Sequence, residues 1–308
     1  MEREEALSLL KTETKSDDFY KLLSLSNEQS RKQFGEKGLV FAQIGMNAEP
    51  CSKNCRFCSM GSSHYSVAET WRKGIDEIIP EVQQLLKEGM NDFFLMTTAD
   101  YPIKKFIEIS TQVRKVLPDH VRFVANIGDF DLETAKEFKA IGITGVYHIK
   151  RLGEGNDTLI NPEIREKTID DIISAGLELY YCIEPVGPEH TYDEILDSIY
   201  FAKQFPIDAM AVMRRTPVPG TPLCSSGQIN AMELTKIVAV TNLIIQPTRS
   251  MNVHEPTQMS LLAGVNQLYA EVGANPRDTS SDTKNGRGFT PTMAWRMLAE
   301  AGYFPEKN

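Results

Sequence analysis

The hydrophobic positions along the chain follow two alternating periods. Short runs rich in β-branched and aromatic residues, such as GLVFAQIGM (38–46) and DFFLMTT (92–98), have the length and composition of buried strands. Longer segments place an apolar residue every three or four positions, which is the period of an amphipathic helix. The stretch VAETWRKGIDEIIPEVQQLLKEGM (67–90) is such a segment, and Gly89 is its expected end.

The same alternation continues towards the C-terminus. Asp131 and Glu133 suit the start of a helix, because polar caps and acidic side chains stabilise helix N-termini. Further strands are expected at 121–128, 144–149, 177–187, 208–215 and 250–256, with an ambiguous unit at 265–272. Further helices are expected near 103–117, 131–142, 163–175, 192–204 and 231–245.

Repeated strand–helix units predict a parallel sheet. Seven or eight of them over about 250 residues favour an α/β fold of the (β/α)8 TIM-barrel type, and a doubly wound open sheet is the alternative. We expect an N-terminal helical extension (1–35), one barrel domain (36–285) and a C-terminal helical cap (286–308). Active sites of such barrels lie at the C-terminal ends of the strands.

Composition and charge narrow the class of protein. The 308-residue chain carries a net charge of −9, which argues against nucleic acid as its main partner. No apolar run approaches the roughly 18 residues of a membrane span, and the N-terminus MEREEALSLL is acidic and unlike a signal peptide. Five cysteines, an odd number with three close together, do not resemble a secreted disulfide framework. We therefore expect a cytoplasmic protein without a membrane partner.

Three of those cysteines lie in the loop EPCSKNCRFCSMG (49–61), directly after the first barrel strand. Cys51, Cys55 and Cys58 have the spacing C-x3-C-x2-C, and closely spaced thiolates suit zinc, copper(I) or an iron–sulfur cluster. Structural zinc normally takes four protein ligands, and the nearest candidate for a fourth is His64. A [4Fe–4S] cluster has four irons, so three cysteines leave one iron open for another ligand.

The loop resembles the signature of the radical S-adenosylmethionine (radical SAM) superfamily, C-x3-C-x-aromatic-C, with Phe57 as the aromatic residue. The resemblance implies a [4Fe–4S] cluster whose open iron chelates S-adenosylmethionine. It also implies reductive cleavage of that cofactor to a 5′-deoxyadenosyl radical, which abstracts hydrogen from a substrate. The cofactor would carry the chemistry, and the protein would orient it and exclude water.

Over residues 30–285 the chain is similar to the biotin-synthase-like branch. This branch includes biotin synthase, methylornithine synthase, the [FeFe]-hydrogenase maturase and the two-component lipoyl synthases, all complete (β/α)8 barrels. Several residues take cofactor-binding roles by this resemblance. They are Thr98 and Asp100 of TTAD towards the methionine amino group, Arg165 towards its carboxylate, Glu154 towards the ribose or amine, and Val186 and Gly187 towards the adenine. Thr98 could instead be an ordinary strand-end residue and Arg165 a solvated helix arginine.

The substrate is less clearly indicated. Basic residues at the expected strand ends, namely Lys150, Arg151, Arg214, Arg215, Arg249 and Arg277, suit a small or carrier-bound anionic substrate. Cys182 and Cys224 could hold a second iron–sulfur cluster with His254 as a helper; the alternative is a buried apolar thiol and an incidental loop thiol. Tyr180 occupies the strand-5 cysteine position of biotin synthase, which argues against that enzyme itself.

Three functions therefore remain. Sulfur insertion of the lipoyl-synthase type, in cofactor biosynthesis, comes first. A carbon-skeleton rearrangement or fragmentation without sulfur, as in methylornithine synthase or metallocofactor maturation, is the alternative. The third is a non-catalytic iron–sulfur or zinc protein. Both enzymatic functions require a low-potential electron donor. Sulfur insertion could also involve a paralogous partner subunit.

Overall fold

The computed structural model describes residues 1–254, 257–271 and 289–305. Within them, eight parallel strands close into a barrel in the order β1-β10-β9-β8-β7-β6-β5-β4. The predicted (β/α)8 barrel is confirmed, and the closure rules out an open sheet. The barrel strands are β1 (Leu39–Gly45), β4 (Asp92–Met96), β5 (Arg122–Asn126), β6 (Gly145–Tyr147), β7 (Glu178–Val186), β8 (Ile207–Arg214), β9 (Ser250–Val253) and β10 (Gln267–Glu271).

Helices surround the barrel. They are α1 (Arg3–Leu10), α2 (Asp17–Phe34), α3 (Ile75–Glu88), α4 (Ile103–Arg114), α5 (Leu132–Ala140), α6 (Pro162–Ser174), α7 (Tyr192–Ala202), α8 (Ala231–Ile245), α9 (Gln258–Leu262) and α10 (Pro291–Glu300). A short antiparallel pair, β2 (Asn47–Ala48) with β3 (Trp71–Arg72), follows β1. No helix in the described part of the chain is long and apolar enough to cross a membrane.

The element ends follow local chemistry. Asp131 caps α5 by accepting a hydrogen bond from the Thr134 main-chain N–H, and Gly89 ends α3 with φ +91°, as the sequence predicts. The helix expected over 67–90 begins only at Ile75. Gly74 is extended there, and its N–H donates to the Glu77 carboxylate. The first part of that segment instead supplies β3.

The core has two parts. A large apolar layer fills the space between strands and helices, as in other barrels of this type. A smaller cluster lies inside the barrel and contains Phe41, Phe94, Val124, Tyr180, Ala209 and Tyr269. Because this inner cluster fills the barrel, the open space lies above it, towards the C-terminal ends of the strands.

Both terminal helical segments pack against the outside of the barrel. The Ser26 hydroxyl of α2 donates to the Ala263 carbonyl, and the Asn242 amide of α8 donates to the Ser26 hydroxyl. The Trp295 indole N–H of α10 donates to the Gly89 carbonyl at the end of α3, at 2.6 Å. The C-terminal helix therefore lies on the flank of the barrel beside α3.

A buried charged network closes the amino-terminal end of the barrel. Asp92, fully buried at the start of β4, accepts hydrogen bonds from Arg249, Gln267 (2.6 Å) and the Tyr180 hydroxyl (3.2 Å). Arg249 was expected among the basic residues of the active-site mouth. That expectation is wrong, because Arg249 immediately precedes β9 and so lies at the opposite end of the barrel.

Replacing Asp92 tests the importance of this network. Asp92→Asn removes the charge that compensates Arg249, so we expect it to destabilise the protein by about 3–5 kcal/mol. Asp170→Asn, on the exposed face of α6, is the matched control and should change stability by less than about 0.5 kcal/mol. Urea unfolding measures both. Equal, small effects of the two substitutions would contradict the assignment.

Candidate active site

The cysteine loop follows β1 and lies over the C-terminal end of the barrel, where it borders a cavity of about 620 Å³. Cys51, Cys55, Phe57 and Cys58 all line this cavity. Its volume lies within the range of cofactor and small-molecule sites. The structure therefore brings together the three cysteines and the aromatic residue that the sequence singled out.

Neighbouring loops hold the cysteine loop in place. The Leu159 N–H, after β6, donates to the Lys53 carbonyl at 2.7 Å. The Arg56 N–H donates to the Asp157 carbonyl at 2.8 Å, and the Leu223 N–H, after β8, donates to the Arg56 carbonyl at 3.0 Å. The positions of the cysteines thus depend on loops distant in sequence.

Cysteine sulfur suits soft metals, and all three thiols are free of disulfide bonds. Burial raises the pKa of Cys51 and raises that of Cys55 to about 12, so a bound metal would have to displace a proton from these sulfurs. Among the described residues, no three Cys, His, Asp or Glu side chains are close enough to hold one metal ion. A [4Fe–4S] cluster gives each thiolate its own iron, so its ligands need a common cavity rather than a common point.

His64, the candidate for a fourth zinc ligand, is not turned towards the thiols. Its Nε2 lies 3.2 Å from the Cys55 carbonyl oxygen and 3.0 Å from the Cys58 carbonyl oxygen. Because a carbonyl only accepts, Nε2 carries a proton and donates to these oxygens. The other ring nitrogen lies 3.1 Å from the Ser63 hydroxyl. Both nitrogens are therefore engaged within the loop.

Arg165, on α6, lines the same cavity although it is only 4% exposed. Its guanidinium lies 3.2 Å from the Asp129 carboxylate and contacts the His148 ring. Its Nε has no hydrogen-bond acceptor in the described structure, and the nearest oxygen of Glu154 is 3.7 Å away. A buried guanidinium N–H without an acceptor is a fitting donor for a carboxylate ligand.

His148 and Asp129 support Arg165, and the sequence did not single them out. Burial and the adjacent Arg165 charge lower the pKa of His148 from 6.5 to about 3, so the ring is neutral. Burial raises the pKa of Asp129, but hydrogen bonding to His148 and the charge of Arg165 lower it more, with a net decrease. The His148 Nε2 lies 3.1 Å from the Asp129 carboxylate and 2.9 Å from an Arg165 guanidinium nitrogen, so the ring is held between the two charged groups.

Glu154 lies behind the cavity lining. It accepts hydrogen bonds from the Thr158 hydroxyl at 2.6 Å and from the Arg151 N–H. The Arg151 side chain lines the cavity and donates to Glu184 at 3.1 Å. Burial lowers the pKa of Arg151, but Glu184 and Glu154 raise it above its ordinary value. The two carboxylates thus keep Arg151 charged.

The remaining residues that were expected to bind the cofactor do not all line the same cavity. Thr98 lines the cavity and accepts a hydrogen bond from the Asn47 amide at 2.9 Å. Asp100 accepts hydrogen bonds from the Ser52 N–H and hydroxyl, and so holds the cysteine loop from the side. Val186 and Gly187 line a second pocket, of about 480 Å³, at the start of α7.

Cys182 and Cys224 are not among the residues that line the main cavity. Cys182 is buried within β7, in hydrogen-bonding contact with Tyr147 and Glu184, and burial raises its pKa well above the ordinary value. Cys224 begins a short 3-10 helix beyond β8. His254, their expected helper, lines the cavity, with its ring centroid 4.6 Å from that of Tyr269.

The basic residues expected at the mouth are largely paired. Lys150 lies 2.6 Å from Glu166, and Arg215, which lines the cavity, pairs with Glu189. Arg214 lines the cavity and donates to the Ile229 carbonyl. Arg277 lies outside the described residues.

The deep part of the cavity contains residues that sequence reasoning missed. The Gln43 amide donates to the Tyr269 hydroxyl at 2.6 Å, and that hydroxyl donates to Glu271. On the opposite wall the Tyr147 hydroxyl donates to Glu184 at 2.8 Å. All five side chains line the cavity. Their signal in the sequence is a polar residue at an inward position near the C-terminal end of a strand.

Comparisons with known proteins agree with this architecture. A scan against models of known protein families found no match. The chain is 25% identical over 251 residues to a biotin synthase of Clostridioides difficile, covering 79% of this chain and 77% of that protein. It is 22% identical over 282 residues to a biotin synthase of Carboxydothermus hydrogenoformans, covering 86% and 85%.

Solved structures share the fold. Methylornithine synthase (PylB) superposes with a TM-score of 0.84 at 17% identity, covering 99% of this chain and 94% of that one. The [FeFe]-hydrogenase maturase HydG from Carboxydothermus hydrogenoformans superposes with a TM-score of 0.81 at 17% identity, covering 99% and 76%. At this identity the likeness establishes the barrel architecture.

The neutral state of His148 predicts a pH dependence of stability. In the unfolded chain His148 takes up a proton below about pH 6.5, whereas in the folded protein it does so only near pH 3. The free energy of unfolding therefore decreases as the pH falls from 6.5 towards 3. The decrease should reach up to about 1.4 kcal/mol per pH unit. Urea unfolding at several pH values should give a shallower slope for His148→Gln. Exposed His120→Gln is the control and should keep the wild-type slope. An unchanged slope in His148→Gln would refute the assignment.

Proposed function

Because the chain belongs to the radical SAM superfamily, in its biotin-synthase-like branch, we propose that Cys51, Cys55 and Cys58 hold a [4Fe–4S] cluster. We propose that S-adenosylmethionine binds beside it in the 620 Å³ cavity. The observation that carries this proposal is that three thiols and a buried arginine line one cavity. The donor set and the cavity therefore fit both groups.

Arg165 is the proposed ligand of the methionine carboxylate. The planar guanidinium suits bidentate recognition of a carboxylate. Asp129 and His148 fix its orientation from behind. Thr98 and Asp100 remain the proposed contacts for the methionine amino group, and Glu154 for the ribose or amine. Asp100 would act in part by holding Ser52.

The adenine is proposed to lie near Val186 and Gly187 at the end of β7, beside the part of the cavity lined by Glu184 and Pro185, although Val186 and Gly187 themselves line the second pocket. A Cβ on Gly187 would come within 2.4 Å of the Arg215 guanidinium, so a larger residue here would displace the end of that side chain. When bound, the cluster and S-adenosylmethionine would supply an electron and a hydrogen-abstracting radical.

The protein side of the reaction is orientation and exclusion of water. The ring centroids of Phe41 and Phe94 lie 4.4 Å apart, and those of Phe41 and Tyr269 lie 5.2 Å apart, which closes the cavity below. A substrate would therefore enter from the side of the strand-end loops and lie above this aromatic floor. We propose a small or carrier-bound anionic substrate, with Arg214 and Arg215 on the cavity wall.

We propose sulfur insertion of the lipoyl-synthase type, in cofactor biosynthesis, as the first candidate reaction. A sulfur-free rearrangement or fragmentation is the second candidate. Cys182 is buried, and neither it nor Cys224 lines the main cavity, so a second cluster in that cavity would need ligands other than these two thiols. A low-potential electron donor is required in both cases, and a paralogous partner subunit could supply sulfur ligands that this chain lacks.

Metal analysis separates the two reactions. The experiment compares iron and sulfide after anaerobic reconstitution of wild type and of the Cys51→Ala/Cys55→Ala/Cys58→Ala variant. About four irons retained by the variant would mean a second cluster and support sulfur insertion by this chain. Loss of all iron would favour the sulfur-free reaction or a sulfur-donating partner. The variant Cys182→Ala/Cys224→Ala is the complementary control.

Replacing Arg165 tests the proposed carboxylate contact. Loss of charged hydrogen bonds typically costs about 1.5–3 kcal/mol, so Arg165→Met should weaken S-adenosylmethionine binding roughly 10- to 150-fold. Arg165→Lys keeps the charge without the fork and should be intermediate. Exposed Arg296→Lys serves as the control. The measurement is the dissociation constant on reconstituted, anaerobic protein with normal cluster content. Wild-type affinity in Arg165→Met would exclude this role.

A further inference from the structure

We propose that His64 is the positioning residue of the cluster-binding loop, acting as a hydrogen-bond donor rather than as a metal ligand. The inference rests on the proposed function, since it assumes that Cys51, Cys55 and Cys58 bind a cluster. It concerns a residue outside the C-x3-C-x2-C motif, six positions after the last cysteine. The observation behind it is that one ring nitrogen contacts the carbonyls of two proposed ligands.

The main chain of all three cysteines is held by the segment 60–64. The Cys51 N–H donates to the Met60 carbonyl at 2.7 Å, and the Ser62 N–H donates to the Cys51 carbonyl at 3.0 Å. The Cys58 carbonyl accepts from the Gly61 N–H at 3.2 Å, and the Cys55 carbonyl accepts from the Cys58 N–H at 2.9 Å. The His64 ring adds a second contact to each of these carbonyls and so ties Cys55 to the segment as well.

The His64 ring is held by a contact at its second nitrogen and by close packing against Gly61. Its second nitrogen lies 3.1 Å from the Ser63 hydroxyl. A Cβ on Gly61 would lie 2.4 Å from Cε1 and 2.5 Å from Nε2 of the ring, so the ring occupies space that only a glycine leaves open. The Ser63 N–H and the Ser62 hydroxyl both donate to the Asn54 side chain, which ties the same segment to the middle of the cysteine loop.

This geometry sets the directions of two thiolates. A carbonyl held by a hydrogen bond fixes the adjacent peptide plane, and the plane fixes the Cα–Cβ direction from which each sulfur extends. Residues that orient metal ligands in this way commonly affect metal affinity 10- to 100-fold. The site is also distinct from the cavity, because His64 is not among its lining residues. Its effect on the cluster should therefore be separable from substrate or cofactor contact.

Two substitutions remove the contact by different routes. His64→Met removes the donor while keeping a side chain of similar bulk. Gly61→Ala keeps the histidine but places a methyl group where the ring lies, and so displaces it. His64→Gln should restore the donor, since the amide nitrogen of glutamine can take the place of imidazole Nε2. Exposed His120→Gln is the matched control.

The measurements are iron and sulfide content after anaerobic reconstitution, resistance of the cluster to a chelator, and the electron paramagnetic resonance spectrum of the reduced cluster. We expect His64→Met and Gly61→Ala to lose chelator resistance roughly 10- to 100-fold and to give an altered spectrum. His64→Gln and His120→Gln should resemble wild type.

Each other outcome overturns the inference in a recognisable way. Wild-type behaviour of His64→Met would show that the contact does not matter. Equal loss in His64→Gln and His64→Met, with normal thermal unfolding of the cluster-free proteins, would show that hydrogen-bond donation is not what His64 contributes. A wild type that assembles no [4Fe–4S] cluster would instead refute the proposed function. Nitrogen NMR of histidine-labelled wild type gives a test independent of folding, because a deprotonated Nε2 in the cluster-free protein would contradict donation.

Discussion

The closure of the parallel barrel is the constraint on which the candidate site depends. Closing eight strands brings the loops after β1, β4, β6 and β8 to one rim. There they hydrogen-bond to the cysteine loop, through Asp100, Asp157, Leu159 and Leu223. Segments up to about half the chain away in sequence thus determine the shape of the cysteine loop. Without the closed barrel, the three cysteines would be close to one another only in sequence.

Charge compensation gives the site its second physical property. Arg151 and Arg165 are withdrawn from solvent, and buried charges persist only when paired. Arg151 is balanced by Glu184 and Glu154, and Arg165 by Asp129, with the neutral His148 beside it and a Glu154 oxygen 3.7 Å away. In the proposed function, an anionic group of the ligand would join these pairs at Arg165. At the opposite end of the barrel, Asp92 and Arg249 balance each other and have no part in this chemistry.

Much of the fold was predictable because the barrel strands are buried and short, which gives continuous apolar runs between helical periods. Asp131 and Gly89 marked helix ends correctly for the same local reasons that operate in the structure. The pair β2–β3 was not predictable, because a two-residue strand has no period. Arg249 was assigned to the wrong end of the barrel, although the strand after it was expected to begin at residue 250 and does so; a residue that precedes a strand lies at its amino-terminal end.

The candidate site also contains residues that the sequence could predict and residues that it could not. Cys51, Cys55 and Cys58 were singled out from their spacing, and Phe57 and Arg165 from a resemblance. The roles of His148, Asp129 and His64 depend on contacts between loops, or on the folding back of one loop, which spacing does not encode.

The central claim is that the cysteine loop binds a cluster that cleaves S-adenosylmethionine. The most direct measurement is the formation of 5′-deoxyadenosine and methionine by anaerobically reconstituted, chemically reduced protein, compared with a Cys58→Ala variant. The account predicts both products from wild type and neither above background from the variant. Equal product formation by the two proteins, or none from a wild type with a complete reduced cluster, would contradict it.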